Sequence, residues 1–593
     1  MSTKRSLPPA SRAWPRPELG ALALLLALAA GCASDSAGIP VACSGPESCP
    51  PPSSAIAWAA QIWPSSSDGS DPQHPLAPQE VGQLRFDAGG TAVLQYRSPA
   101  LSQGIVTNAE SVPMALLRAR VLALLPTVIP GQAALSFNTL TANQLPGLWS
   151  LRIPVPEHPS TQPYRFWVGF DDAAQASLYP PVWHDQVVAT DTMVALSTRA
   201  AADLATVRGR ITNPLGEGVG GLTVQVVDAV NQIVSSTAVS QTAAGTALGS
   251  YQLLVDPTLS ADAQANLRVV VRPGTANSAL PTLEVAISPP RAGTALTVDF
   301  AFPSQRTPVP FQLPIRGLAA SGTTMAVVGA HVQAQVQLQD QATLKLGVRA
   351  IYTTTADTDA QGIAKLTLVP APSGGPNLTY QVAITSPTIT PFASAQQAVQ
   401  VGPNEGLLAA VSLPLRAQLL GRLLDAEGQP VPSAQVVAQA IAADSPPASP
   451  PGTAATDMVG AQTITDQDGH FALHLDPGDY DLDLVPVPGT QPRSSVDNQR
   501  IGTADIDVGD IRLPRITLGR LLVQAPGGRA VVGTKVRVFQ LPDTTPRYGL
   551  ACESTLPCSR VASLRAEAFT DRNGLAQFLL PDSTPQLAQP QLR

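Results

Sequence analysis

The side chains able to do chemistry are few and scattered. The six histidines are His74, His158, His184, His331, His470 and His474. His470 and His474 alone stand four apart, the spacing that binds a metal on a helix, and no His-Glu-x-x-His occurs. His470 and His474 fall in an alternating pattern that turns both outward, with Phe471 and Leu473 inward, so they read as surface positions. His184-Asp185 beside Trp183 is the most enzyme-like cluster. General-base chemistry needs a nucleophile to activate, and the sequence offers no Gly-x-Ser-x-Gly elbow and no reactive cysteine. Asp466-Gln467-Asp468-Gly469 opens like a calcium loop but lacks the later ligands and the closing bidentate glutamate. A tight turn explains the same residues: the aspartate bonds backbone two residues on, and glycine supplies a positive φ. The expectation is no catalytic residue, no metal site and no cofactor.

Sugar recognition is the remaining specific chemistry, because flat aromatic rings cover pyranose faces. Trp58, Trp63, Trp149, Trp167 and Trp183 lie between residues 57 and 200, and no tryptophan follows position 183. They are the candidate ligand-binding residues, weighed against core burial as the commoner fate of tryptophan.

Composition limits the rest. The 593 residues are 13% charged and 4% aromatic with 59 prolines, so the surface is built from Ser, Thr, Gln, Ala and Pro and the cores from Val, Leu and Ala. A net charge of −7 gives no basic field, so no nucleic-acid partner is expected.

Lys4, Arg5, Arg12 and Arg16 precede an apolar run, Leu19 to Ala30, too short to span a bilayer and suited to a signal peptide. Leu28-Ala29-Ala30-Gly31-Cys32 resembles a bacterial lipoprotein signal. The resemblance implies acylation of Cys32, which gives a membrane partner through the lipid, and Ala33 after it implies the outer membrane, with its face left open. The remaining cysteines form two pairs, Cys43/Cys49 and Cys552/Cys558. In an exported chain they read as disulfides; bridges within each pair are favoured, although three connectivities exist.

The chain then repeats. Leu313-Pro314, Leu413-Pro414 and Leu513-Pro514 recur, as do Gly209-Arg210, Gly421-Arg422 and Gly519-Arg520. A late turn recurs as Thr358–Gly362, Thr465–Gly469 and Thr570–Gly574, while Gly249 holds the matching place in the first unit without the aspartate. Short alternating segments with regular turns predict β-sandwiches. The third unit, through Gly421, Asp425, Gly428, Pro430-Val431, Ala434, Phe471, Gly478-Asp479-Tyr480 and Asp507–Ile511, resembles the carboxypeptidase regulatory-like domain, which implies a transthyretin-like sandwich.

The expected fold is all-β: a signal peptide over 1–31, a Pro/Ser-rich tether over 32–56 and a β-rich N-terminal domain over 57–200, then sandwiches over 205–303, 309–414, 415–514 and 515–593. The last lacks a final Gly-x-Tyr strand. Four such modules end to end would span on the order of 140 Å. The functional expectation is a lipid-anchored envelope protein with a structural or partner-binding role, its partner an envelope protein or a polysaccharide. The alternative is carbohydrate binding through the tryptophan-rich region.

Overall fold

A computed structural model describes residues 50–54, 56–65, 76–109, 111, 119–130, 132–140, 147–170, 176–228, 233–243, 245, 247–257, 267–274, 277–440, 460–542, 562–583 and 586–587. All of these belong to one compact unit, 39–593. Cys32, Cys43, Cys49, Cys552, Cys558 and His74 lie outside the described residues, as do the signal segment and the proline-rich insert 443–452.

The chain is all-β, built from tandem sandwiches. The unit over 415–514 shows how its sequence produces one. Tyr480, Leu482 and Leu484 face inward from Gly478–Val485, alternating with half-buried aspartates. Phe471, Leu473 and Leu475 do the same from His470–Leu475, the two histidines facing out. Seven strands result. The first, Ala417–Leu424, lies antiparallel to the fourth, His470–Leu475, and parallel to the seventh, Ile506–Arg512. The second sheet orders the remaining four as Ala461–Ile464, Gln435–Ala440, Gly478–Val485 and Ser494–Ile501. The same two-sheet order recurs from Ala205–Thr212 to Phe300–Ala301 and from Val309–Leu318 to Val411–Leu413.

Small devices repeat with it. The Thr465 hydroxyl donates to Val431 O (2.7 Å) and accepts from Ala434 N (2.9 Å). Thr358 bridges Val327 and Ala330 in the same way, and Thr570 bridges Val531 and Thr534. In the first repeat Ser240 does it, between Val219 O and Leu222 N. A Cβ on Gly209 in the first strand would run into the Val298 carbonyl, which explains the recurring glycine. Gly421 and Gly519 meet Phe471 and Leu580 at equivalent places.

The expected N-terminal domain over 57–200 is corrected by strand pairing. Residues 100–197 form a sandwich of the same plan, not a domain of a different kind. Ala100–Thr107 pairs with Leu148–Ile153 and, in parallel, with Thr192–Met193 and Leu196–Ser197. Leu135–Leu140, Ala119–Leu125, Tyr164–Phe170 and Val182–Gln186 form its second sheet. Gly104 stands against the Val194 carbonyl, and Gly317 against Phe392, completing the glycine series.

The preceding strands belong elsewhere. Trp58–Trp63 lies antiparallel to Lys535–Gln540 and to Gln79–Leu84, and Thr91–Gln95 runs parallel to Ile516–Gln524. These are the fifth, sixth and seventh strands that the last sandwich lacks after Ser563–Phe569 and Leu575–Pro581. Trp58, Ala60, Ile62 and Leu94 share one core with Leu521, Val536, Val538 and Phe578. Four strands alone would leave an open sheet edge and half a core bare, and the start of the chain covers both.

The array therefore closes on itself, which corrects the end-to-end arrangement expected of the modules. Its five modules touch in a cycle. Glu80 of the shared module accepts from Val128 N (3.0 Å) and from the Thr127 hydroxyl of the 100–197 module. Ala176 O of that module accepts from Thr237 N (2.8 Å). Thr282–Ile287 pairs with Arg349–Asp357, fusing two modules into an eight-stranded sheet over a continuous core. Ser394 N donates to Asp476 of the next module (3.1 Å). Gln586–Leu587 then pairs back onto Ile506–Arg512. Among the described residues, no helix is long and apolar enough to cross a membrane.

Candidate functional site

The five candidate tryptophans separate by burial. Trp58 and Trp149, each 2% exposed, fill two different sandwich cores. Trp149 packs at 5.7 Å, ring to ring, on Phe166. Both are thereby withdrawn from ligand contact, which corrects their candidacy. Trp63, Trp167 and Trp183 are half-buried and accessible.

Trp167 and Trp183 stand directly opposite each other on Tyr164–Phe170 and Val182–Gln186. Strand alternation sends Tyr164, Phe166 and Val168 into the core, so Arg165 and Trp167 face out. Their rings lie 6.3 Å apart at 59°. The Trp167 indole folds over Gly169, where a Cβ would overlap the ring, so the glycine is what lets the indole lie down on the sheet. The Arg165 guanidinium sits 5.7 Å from the Trp183 ring centroid and grips Asp185 with two bonds, Nε–Oδ1 2.9 Å and Nη2–Oδ2 3.1 Å. Both charged side chains are nearly half exposed, so the pair contributes only about 0.2–1 kcal/mol to stability. Its consequence is orientation: it fixes the guanidinium over the indole and leaves the platform without net charge.

The same alternation separates the enzyme-like cluster. His184 stands opposite the inward Phe166, while Trp183 and Asp185 share the other face. His184 Nε2 lies 3.3 Å from Gln186 Oε1, and Asp185 is held by Arg165, so histidine and aspartate form no dyad. His470 and His474 are exposed opposite Arg422 and Gln418. Asp466 accepts from Asp468 N (3.0 Å) and His470 N (2.8 Å), the turn geometry rather than a calcium loop. Among the described residues, no three His, Cys, Asp or Glu side chains gather to hold a metal.

Trp63 lines a separate cleft of about 330 Å³ at the joint between the shared module and the 100–197 module. Gln61 and Arg537 bound it on one side, and Gln132, Ser136 and Phe137 on the other. The Trp63 indole N–H is buried with no hydrogen-bond partner.

Sequence reasoning missed the joint arginines. Arg97, Arg306, Arg416 and Arg515 stand just before the first strand of a module, and Arg199 stands before the short turn Ala201–Asp203 that leads into one, a recurrence visible in the sequence once the strand starts are known. Arg416 is the most buried. Its Nε meets Asp476 Oδ1 at 2.9 Å, and its other nitrogens donate to the carbonyls of Ser386, Pro387, Thr388 and Thr390. Arg199 reaches Asp256 (3.3 Å), Arg97 the Val155 carbonyl (3.1 Å), and Arg306 the carbonyls of Ala371 and Pro403. Three buried tyrosines anchor the neighbouring turns: Tyr164, Tyr380 and Tyr480 donate to Pro154 O, Val369 O and Asp476 O. Burial, with the nearby Asp476 charge, pushes the Tyr480 phenol up to about 12.

No protein-family model matches the chain. No curated protein matches it either. Solved structures resemble parts of it at low similarity. A streptococcal ancillary pilin is 13% identical, covering 50% of this chain and 95% of its own, with a TM-score of 0.19. The minor pilin GBS52 of Streptococcus agalactiae is 16% identical over 35% of this chain and 97% of its own, with a TM-score of 0.19. The Bacillus anthracis TIE protein is 11% identical over 66% and 68%, with a TM-score of 0.15. At these scores the functional reading rests on this chain's own residues.

Proposed function

We propose that the chain is a lipid-anchored, non-enzymatic protein of the cell envelope, with a structural or partner-binding role. The observation that carries this reading is the closed cycle of five sandwiches: cores and joints are built throughout, while the His184-Asp185 cluster is split across two faces of a strand. Cys32 supports the anchor through its sequence context, and the carboxypeptidase regulatory-like resemblance of 415–514 agrees with the observed sandwich. Labelling in cells with a palmitate analogue tests the anchor. Label on the wild-type chain and none on Cys32→Ala is expected; label retained on Cys32→Ala contradicts it.

A second reading, carbohydrate binding, is favoured by the outward Trp167/Trp183 pair with its charge-compensated Arg165. Loss of glycan binding in Trp167→Ala and Trp183→Ala would support it.

A further inference from the structure

The outward face that carries Trp167 and Trp183 runs on into the joint cleft. Strand register sets two rows across the sheet. One runs Trp183, Trp167, Leu122, Asn138, and the other Asp185, Arg165, Leu124, Ser136. Ser136, at the end of the second row, lines the cleft together with Trp63. We propose that Trp183, Trp167 and Trp63 mark one track for a linear, neutral polysaccharide that crosses the strands and ends in this cleft. The inference rests on the carbohydrate reading above and extends it to the polymer class and the course of the chain.

Three observations carry it. The first is length: four strands at about 4.8 Å spacing separate the outer two by about 14 Å, a span of several linked pyranose rings. The second is charge. Arg165 is held by Asp185, and Arg537 in the cleft shares the Glu567 carboxylate with Lys535, at 2.8 Å and 2.9 Å. Both arginines of the track already carry a carboxylate partner, so a neutral chain fits where an anionic one would have to compete with Asp185 and Glu567. The third is Trp63 itself, which lines the cleft with its side chain only half buried and so offers aromatic surface to a sugar ring. At about 330 Å³ the cleft has the size of a small-molecule site, and it stands at a domain joint where such sites concentrate.

The cleft is also tied to closure. Gln61 and Trp63 come from the start of the chain, Arg537 from its last module, and Ser136 from the module between. A ligand seated there binds only the closed array and stabilises it by mass action.

The test is calorimetric titration of the full-length chain with β-1,4-linked N-acetylglucosamine oligomers and neutral β-glucan oligomers of increasing length. Affinity is expected to rise about tenfold or more from dimer to hexamer. Trp63→Ala should lower hexamer affinity and leave dimer affinity unchanged, and Trp63→Phe, which keeps an aromatic face, should restore part of the loss. Trp167→Ala should weaken both. Length-independent binding that ignores both Trp63 substitutions overturns the track while sparing the Trp167/Trp183 platform. Failure of every oligomer to bind overturns the carbohydrate reading itself.

Discussion

Ala60 lies opposite Val538 in an antiparallel ladder, although almost the whole chain separates them. Both are fully buried in the same core. The last sandwich is therefore a joint product of the two ends of the chain, and neither end can complete it alone.

That shared core makes Trp58 a stability determinant for residues distant in sequence. Trp58→Ala should cost about 3–5 kcal/mol and act on the shared module as a whole. Hydrogen exchange in rising denaturant should show Ile516–Gln524 and Lys535–Gln540 opening earlier in the variant. An effect confined to the segment around residue 58 would contradict the shared core.

The Arg416–Asp476 pair is 3% and 4% exposed and fastens two neighbouring modules. Arg416→Met leaves the Asp476 carboxylate buried and unpaired, and is expected to destabilise by about 3–5 kcal/mol. Arg416→Met combined with Asp476→Leu should cost clearly less, as read by chemical denaturation. Additive losses would show that the two residues act independently.

High pH should loosen the fold through its buried tyrosines. The Tyr480 phenol, ordinarily near 10.0, is held at about 12 chiefly by burial, so the folded state favours the protonated form. Its contribution is complete below the unfolded value and is lost as pH climbs from 10.0 through about 12. Tyr164, Tyr251 and Tyr380 are pushed up by burial too and act in the same direction. Denaturant midpoints should fall over this interval, and Tyr480→Phe should flatten the fall. A midpoint constant to pH 12 would contradict the sign.

Thr465→Val keeps the shape of the side chain but strands Ala434 N and Val431 O without their shared hydroxyl. A loss of about 1–3 kcal/mol is expected by chemical denaturation. The same substitution at exposed Thr353 should change little, which separates the bridging hydroxyl from a general intolerance of valine.

What the sequence made legible was local. The Asp-x-x-Gly turns and the alternation of Phe471 to Leu475 depend on neighbours a few residues away, and the structure forms them as the pattern implies; the glycines at 209, 421 and 519 showed in the sequence as a recurrence, while the groups that crowd them, Val298, Phe471 and Leu580, are distant in sequence. Gly104 and Gly317 occupy the same place but are followed by Ile105 and Leu318 rather than arginine, so the dipeptide pattern passed over them. Closure left no local mark. Trp58–Trp63 finds its hydrogen-bond partners at the other end of the chain, and its tryptophans read together with those of 149–183 merely because they are close in sequence. The platform was half legible: residue type named Trp167 and Trp183, but only register shows them side by side, and only burial withdraws Trp58 and Trp149. The cleft at Trp63 joins three distant segments, so no stretch of sequence contains it.

Closure is the central claim, and amide hydrogen exchange across the two chain ends tests it most directly. In the full-length chain the amides of Trp58–Trp63 should be as strongly protected as those of Lys535–Gln540, and denaturant should release both in one step, since paired strands of one core open together. Fast exchange over Trp58–Trp63 beside a protected Lys535–Gln540 would mean that the ends do not pair, and the closed array would fall.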